Sequence, residues 1–380
     1  MTVRCLTVHA GYACRHSGAC CTAGWPIPVE ADRLTTLAAA IDDGRLATPS
    51  LSRPLWIQPA DAPAATPALL QSNDHGCVFY EAVPASVSEP ARTERGIRAP
   101  ASEREGGSGG AKPLERGRCR VHRTLGHGAL PLACRQFPRI SVLDPRGASV
   151  TLSHYCPTAA GLLDVGEVAI TDEPQAFPPD AELVGLDVRT NLPPLLRPGM
   201  LMDWESWWDW EQRAVGTIAR PDRSPEQALA ILSASVESVR TWRPEDGALL
   251  AAIHDGFERA DGRVEAGPAF TLRHARGALS LSKGRPALSD VLSAIPADLC
   301  PSRLERLDAP SATAVRAFLA AHAFANWTAH LGQGLRSWLR SLQAALSLVN
   351  ELGVRQTDLI LRHLADPNEL VNGWSRAEWE

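Results

Sequence analysis

No apolar run in this chain of 380 residues reaches the roughly 18–20 residues that a membrane span requires. The most apolar window, "AVRAFLAAHAFANWTAHL" from Ala314, is broken by Arg316, His322, Asn326 and His330, so it reads as a buried or amphipathic helix. The opening "MTVRCLTVHAGYAC" has neither a continuous apolar h-region nor a small-residue cleavage site, and no signal peptide is expected. An excess of one charge is also missing. A net charge of −5 and a pI near 6.1 leave no electrostatic footprint for nucleic acid or for an anionic membrane. Basic residues do gather between Arg116 and Arg139, but they alternate with Cys, Pro and Leu, which suits a solvated or site-lining stretch.

Motif absences narrow the chemistry. No G-x-G-x-x-G follows a strand, and there is no P-loop, H-E-x-x-H or acidic metal motif. "GGSGG" from Gly106 fits a nucleophile elbow only in letters, because neither strand nor helix flanks it. Internal repeats of the usual periods are not visible. The expected location is therefore the cytoplasm, where thiols stay reduced and clustered cysteines point to metal or catalysis rather than to disulfides.

Against these absences stand nine cysteines: Cys5, Cys14, Cys20, Cys21, Cys77, Cys119, Cys134, Cys156 and Cys300. Only Cys300 lies beyond residue 160, an asymmetry that divides the chain. Residues 1–165 read as a small cysteine-rich module with short antiparallel hairpins, and 166–380 as a mostly α-helical domain. The fold class expected is thus α+β. In the first part "VEADRLTTLAAAID" predicts a helix, "GCVFYEA" and "GRCRVH" short strands, and a short helix carries Cys134. "RISVLDPRGASVTLSHYC" alternates and turns at Asp144-Pro145-Arg146-Gly147, the clearest hairpin in the chain. Residues 82–117 contain almost no large apolar side chains and read as a flexible insertion, with a second insertion at 264–288. The C-terminal part shows helical periodicity in "MDWESWWDWEQRAVGTIA", "PEQALAILSASVESVRTW", "DGALLAAIHDGFERA" and a long stretch from Ser311 to Leu352. Trp204, Trp207 and Trp208 share one helical face, the pattern of a core-facing helix rather than of a binding groove.

Seven of the cysteines, Cys14, Cys20, Cys21, Cys77, Cys119, Cys134 and Cys156, are candidate metal ligands. Thiolates are soft donors that select zinc, iron–sulfur clusters or copper(I). Adjacent residues project their side chains in different directions, so Cys20 and Cys21 are not expected to share one mononuclear ion. Two neighbouring sites, one ligand with one packed thiol, or one iron–sulfur cluster with spare thiols all fit the count. Cys5 and Cys300 stand outside the pattern and read as packing residues.

In order, "YACRHSGACC", "GCVF", "GRCRVHR", "LPLACRQFPR" and "SHYCP" resemble the CxxCxxCC cysteine-cluster (YkgJ-like) proteins, described as a zinc- or iron-chelating domain, over about residues 10–160. Within that set "CCTAGWPIPVE" with a long helical tail resembles the flagellin lysine-N-methylase branch. The family resemblance implies a metal-binding protein that holds zinc or an iron–sulfur cluster. The branch resemblance implies, as an alternative, an enzyme that transfers methyl groups from S-adenosylmethionine to lysines of a flagellin substrate. Neither nucleic acid nor membrane is an expected partner. Two departures stand out. Ser17 occupies the place of a family cysteine, so His16 or another histidine (His75, His122 or His154) completes a site, or only one full site survives. Leu130-Pro131 replaces the Arg-Pro that precedes the Cys-Arg pair.

Overall fold

The computed structural model describes residues 2–23, 27–47, 56–57, 68–70, 72–73, 76–83, 116–164, 166–176, 184–261, 310–332 and 334–363. It is a mixture of α-helices and small sheets. The chain divides into two units, one of residues 1–12 and 136–380, the other of residues 13–135. The units part at 12/13 and 135/136 rather than near residue 165, and backbone pairing supplies the reason. Strand β1 (Thr2–Leu6) hydrogen-bonds with strands far along the chain, so the first residues, with helix α1 (Thr7–Ala10), belong to the larger unit.

The smaller unit is a set of short elements. Helix α2 (Ala19–Thr22) is a single turn, followed by β2 (Ile27–Val29) and α3 (Ala31–Asp42). Strands β3 (Trp56–Ile57) and β4 (Ala68–Leu70) complete a three-stranded sheet of order β2-β4-β3. The expected strand "GCVFYEA" is divided. β5 (Ser72–Asn73) pairs with β6 (Gly76–Cys77), Val78 and Phe79 turn, and β7 (Tyr80–Val83) pairs with β8 (Arg116–Cys119). "GRCRVH" is likewise half strand, because helix α4 (Arg120–Leu125) starts directly after Cys119. Helix α5 (Leu132–Gln136) carries Cys134 as expected. The β7–β8 pairing (Tyr80 opposite Cys119, Val83 opposite Arg116) closes the base of the predicted insertion. Residues 84–115 of that insertion, and the whole of 264–288, lie outside the described residues. The buried core is modest: Val29, Leu37, Leu46, Leu70, Val78, Phe79, Val121 and Leu130, with Cys21 and Cys77 among them.

The larger unit holds the predicted hairpin, β9 (Arg139–Asp144) and β10 (Gly147–Leu152). Helix α6 (Pro157–Ala160) follows, and then β11 (Ile170–Asp172) and β12 (Leu186–Asp187) complete a five-stranded sheet of order β11-β1-β10-β9-β12. β1 runs parallel to β10, and β12 parallel to β9. Gly147 makes the first pairing possible: its φ is 136°, and a Cβ there would lie 2.2 Å from the Thr2 carbonyl oxygen. Strands β13 (Leu195–Arg197) and β14 (Met200–Leu201) form a small ribbon, so residues 166–203 are not yet the helical domain expected from 166 onward.

The helices come next. α7 (Trp204–Ala219) starts at Asp203, whose carboxylate accepts the Ser206 N–H at 2.7 Å, and α8 (Pro225–Val239) starts with a Ser224–Gln227 capping box. They are followed by α9 (Leu249–Asp261), α10 (Ala312–Ala323), α11 (Trp327–Leu331) and α12 (Leu335–His363), which kinks at Gly353. The stretch read as one long helix from Ser311 is thus three, broken where Ala325 takes a positive φ of 52° and again at Gly332. The tryptophan face is core, as its spacing predicts: Trp207 and Trp210 are fully buried with Phe318, Phe324 and Trp338, and Trp204 and Trp208 pack against them in part. Each such side chain contributes about 2–3 kcal/mol by burial. A buried ionic group anchors α7 to the hairpin turn: Arg146 pairs with Asp144 (2.6 Å) and Glu211 (3.1 Å) and stacks over Trp208. Among the described residues, no helix is long and apolar enough to cross a membrane.

Candidate metal centre

Three thiols of the smaller unit, those of Cys20, Cys77 and Cys119, lie around that of Cys21. Gly18, with φ 75°, turns the chain into α2 and leaves Cys20 and Cys21 on one helical turn. Their sulfurs lie 4.0 Å apart. That spacing overturns the expectation that neighbouring side chains must diverge. On a single turn, both χ1 rotamers can bring the sulfurs back together. The Cys21 thiol is buried and lies within hydrogen-bonding reach of the thiols of Cys119, Cys20 and Cys77.

Each partner arrives on a different short element. Cys77 ends β6, and the Phe79 N–H of the following turn is directed at its sulfur. Gly76 sets the approach: φ is 115°, and a Cβ there would fall 2.3 Å from the Cys21 carbonyl oxygen. No other residue lets β6 lie so close to α2. Cys119 ends β8, with the N–H groups of His122 and Val121 facing its sulfur from the start of α4. Cys134 rides on α5, whose leading Leu132 N–H donates to the Glu30 carboxylate at 3.0 Å. Cys134 packs against the same buried core as Cys20 and Cys119.

The thiols of Cys21, Cys77 and Cys119 shift one another in opposite directions. Hydrogen bonding to Cys119, Cys20 and Cys77, reinforced by burial, pushes the Cys21 thiol far up. The same Cys21 bond pushes Cys77 down against the opposing effect of burial. It also brings Cys119 down to about 7, helped by the His122 and Val121 amides. Burial, followed by the negative charge of Cys20, Cys77 and Cys119, pushes Cys134 well up. The thiols around Cys21 are thus coupled, with Cys119 and Cys77 shifted toward the thiolate form that a soft cation binds.

Cys14 and Cys156 are placed differently. Cys14 is exposed on the smaller unit and accepts the His16 N–H at 3.4 Å. Cys156 belongs to the larger unit, buried beside Leu152 and Ala159, with the Tyr12 hydroxyl 3.7 Å from its sulfur. Cys5 is fully buried in the core of the five-stranded sheet, where burial raises its thiol to about 11. Cys300 and His75 lie outside the described residues. His16 takes a positive φ of 52° and stacks 4.8 Å from His122, which lies 5.8 Å from His127, a row of three imidazoles in the smaller unit.

The larger unit carries a second group that sequence reading missed. His154 and His322 flank Asp358, and one ligand atom from each lies within 4.8 Å of the other two. Asp358 Oδ1 is 3.2 Å from His322 Nε2 and 3.7 Å from His154 Nδ1. Its other oxygen accepts the Ser153 hydroxyl (2.5 Å) and the Tyr155 N–H (3.2 Å). His154, the histidine weighed as a ligand for the thiol site, sits here with its Nε2 3.1 Å from His9 Nε2. Phe318, whose ring edges toward both His154 and His322, closes the group on the helical side. Neither His322 nor Asp358 belongs to a local motif, since 36 residues separate them along the chain. Comparison with protein-family models, with curated proteins and with solved structures finds no match for this chain.

Proposed function

We propose that this is a metal-binding cysteine-cluster protein in which Cys20, Cys21, Cys77, Cys119 and Cys134 hold zinc or an iron–sulfur cluster. The observation that supports this most is the Cys21 sulfur, buried within hydrogen-bonding reach of three other thiols brought in by separate elements. Soft thiolates are the donors that zinc and iron–sulfur centres share. Four soft thiolates suit tetrahedral zinc, for which sulfur–sulfur distances of about 3.8 Å follow from bonds of about 2.3 Å. The Cys20–Cys21 separation of 4.0 Å is close to that value. Thiolates with directed backbone N–H groups, as at Cys77 and Cys119, equally suit an iron–sulfur centre. When bound, the metal would take up the thiolates as its ligands and neutralise their charge.

The test is anaerobic purification followed by metal analysis and an absorption spectrum. Brown protein with sulfide-bound iron, or colourless protein with stoichiometric zinc, supports the reading. Either signal should fall in Cys21→Ser and Cys77→Ser variants. Folded protein that carries neither metal, and whose smaller unit withstands proteolysis in chelator, would refute it. Methyl transfer from S-adenosylmethionine to a flagellin lysine is a further implication of the branch resemblance. Methylated flagellin lysines formed by the anaerobic protein and lost in Cys134→Ser would support that enzyme reading, and no calorimetric binding of S-adenosylmethionine would count against it.

A further inference from the structure

We propose that His154 Nδ1, His322 Nε2 and Asp358 Oδ1 form a second metal site, in the larger unit, for a borderline divalent ion of the zinc or ferrous type. Four observations carry it. The three atoms lie within 4.8 Å of one another, and two of the separations, 3.2 and 3.7 Å, bracket what a shared ion needs. Zinc bonds to nitrogen and oxygen of about 2.0–2.2 Å put tetrahedral donors about 3.3–3.5 Å apart. His154 is completely buried, and its Nδ1 has no hydrogen-bond partner although it is aimed at Asp358. A buried ring nitrogen left in that state costs about 1–3 kcal/mol unless something else occupies it.

The outer contacts also match a ligand set. A metal-bound histidine normally donates its other ring N–H to a protein acceptor, which fixes the tautomer. With the His154 Nδ1 lone pair directed at the ion, the proton sits on Nε2 and donates to His9 Nε2 at 3.1 Å. Asp358 is held in the same way: Oδ2 accepts from the Ser153 hydroxyl and the Tyr155 amide, which leaves Oδ1 turned toward both imidazoles. Two neutral imidazoles and one carboxylate leave a net charge of +1 on a divalent ion. A fully buried carboxylate favours that balance, and the donor hardness suits zinc or ferrous iron rather than the soft ions preferred by thiolates. His322 is the least buried of the three, with its side chain 10 % exposed, and offers the approach from solvent.

The experiment uses the full chain, stripped of metal anaerobically and titrated with cobalt(II). Thiolate-bound cobalt shows a sulfur-to-metal charge-transfer band, whereas nitrogen- and oxygen-bound cobalt shows only d–d absorption. The expected result is a d–d component without charge transfer, additional to any thiolate signal. In His322→Gln and His154→Gln its affinity should fall by at least about 10–100-fold while the thiolate band is unchanged. Asp358→Asn keeps the Ser153 and Tyr155 bonds, so it serves as the third variant should a histidine change fail to fold. Wild-type protein that lacks the component overturns the proposal, whatever the variants do. So does a component that survives in all folded variants. Failure of the thiolate band alone would overturn the cysteine-cluster reading and leave this one standing.

Discussion

In the unit of residues 13–135, Cys20, Cys77 and Cys119 come from short elements to lie around Cys21, and the largest buried side chain among its described residues is Phe79. In the unit of residues 1–12 and 136–380, the His154–His322–Asp358 group sits beside a core that buries Trp207, Trp210, Trp338, Phe318 and Phe324. The difference separates two uses of a ligand set. Small units with little apolar surface to bury commonly depend on a metal for folding, because ligand binding then supplies the missing stability. A unit with a large aromatic core can carry a metal site as an addition. Metal should therefore be structural for the smaller unit and dispensable for the fold of the larger.

The sharpest way to break this contrast is to remove metal altogether. Chelation of the anaerobic protein, or Cys21→Ser, should make residues 13–135 labile to protease while the helical signal of the larger unit persists in circular dichroism. Joint collapse of both would erase the distinction. The second test strikes the other side. Trp210→Ala empties a fully buried site beside Phe257 and Trp338 and should cost about 3–5 kcal/mol in denaturant unfolding of the larger unit. Thiol-bound metal content should not change.

Gly76→Ala probes how the thiols are brought together. The added Cβ must displace the Cys21 carbonyl, at 2.3 Å, and also strains a backbone at φ 115°. A loss of about 2–3 kcal/mol in the smaller unit, with weaker metal retention, is the expected outcome. A neutral effect would mean that β6 and α2 need not lie so close. The pH-dependent test concerns His330, where burial lowers the imidazole to about 4 beside Trp204 and Trp207. Its folded pKa lies below the unfolded value of about 6.5, so the unfolded chain binds the extra proton between those values. Stability from this group is full above pH 6.5 and falls as pH drops toward 4, by up to about 3 kcal/mol. His330→Phe should flatten that slope in the larger unit's unfolding midpoint between pH 7 and 4.

Local signals were legible wherever one element satisfies itself. The cap at Asp203, the Ser224–Gln227 box, the tryptophan spacing of α7 and the 139–152 hairpin all follow from residues within a few positions of one another. The cysteines stood out as a group because thiol is a rare and chemically specific donor, and four of them, Cys20, Cys21, Cys77 and Cys119, lie around the buried Cys21 sulfur. Cys156 belongs to the other unit, because order along the chain carries no information on which sheet a strand joins. Pairing of β1 with β10, made possible at Gly147, draws both chain segments into the other unit.

By itself, then, the sequence determined which thiols stand as candidate ligands and the helical periodicities, since hydrophobic spacing and side-chain chemistry are properties of single residues and short windows. Only the tertiary structure decided that Cys20 and Cys21 turn their sulfurs toward each other, and that Ala325 and Gly332 interrupt the long helix. It alone decided that His154 faces Asp358 rather than the thiols of its sequence neighbourhood. Histidine and aspartate are common surface residues with many roles, so no pattern distinguishes a ligand pair 36 residues apart until packing excludes water and turns their donor atoms inward.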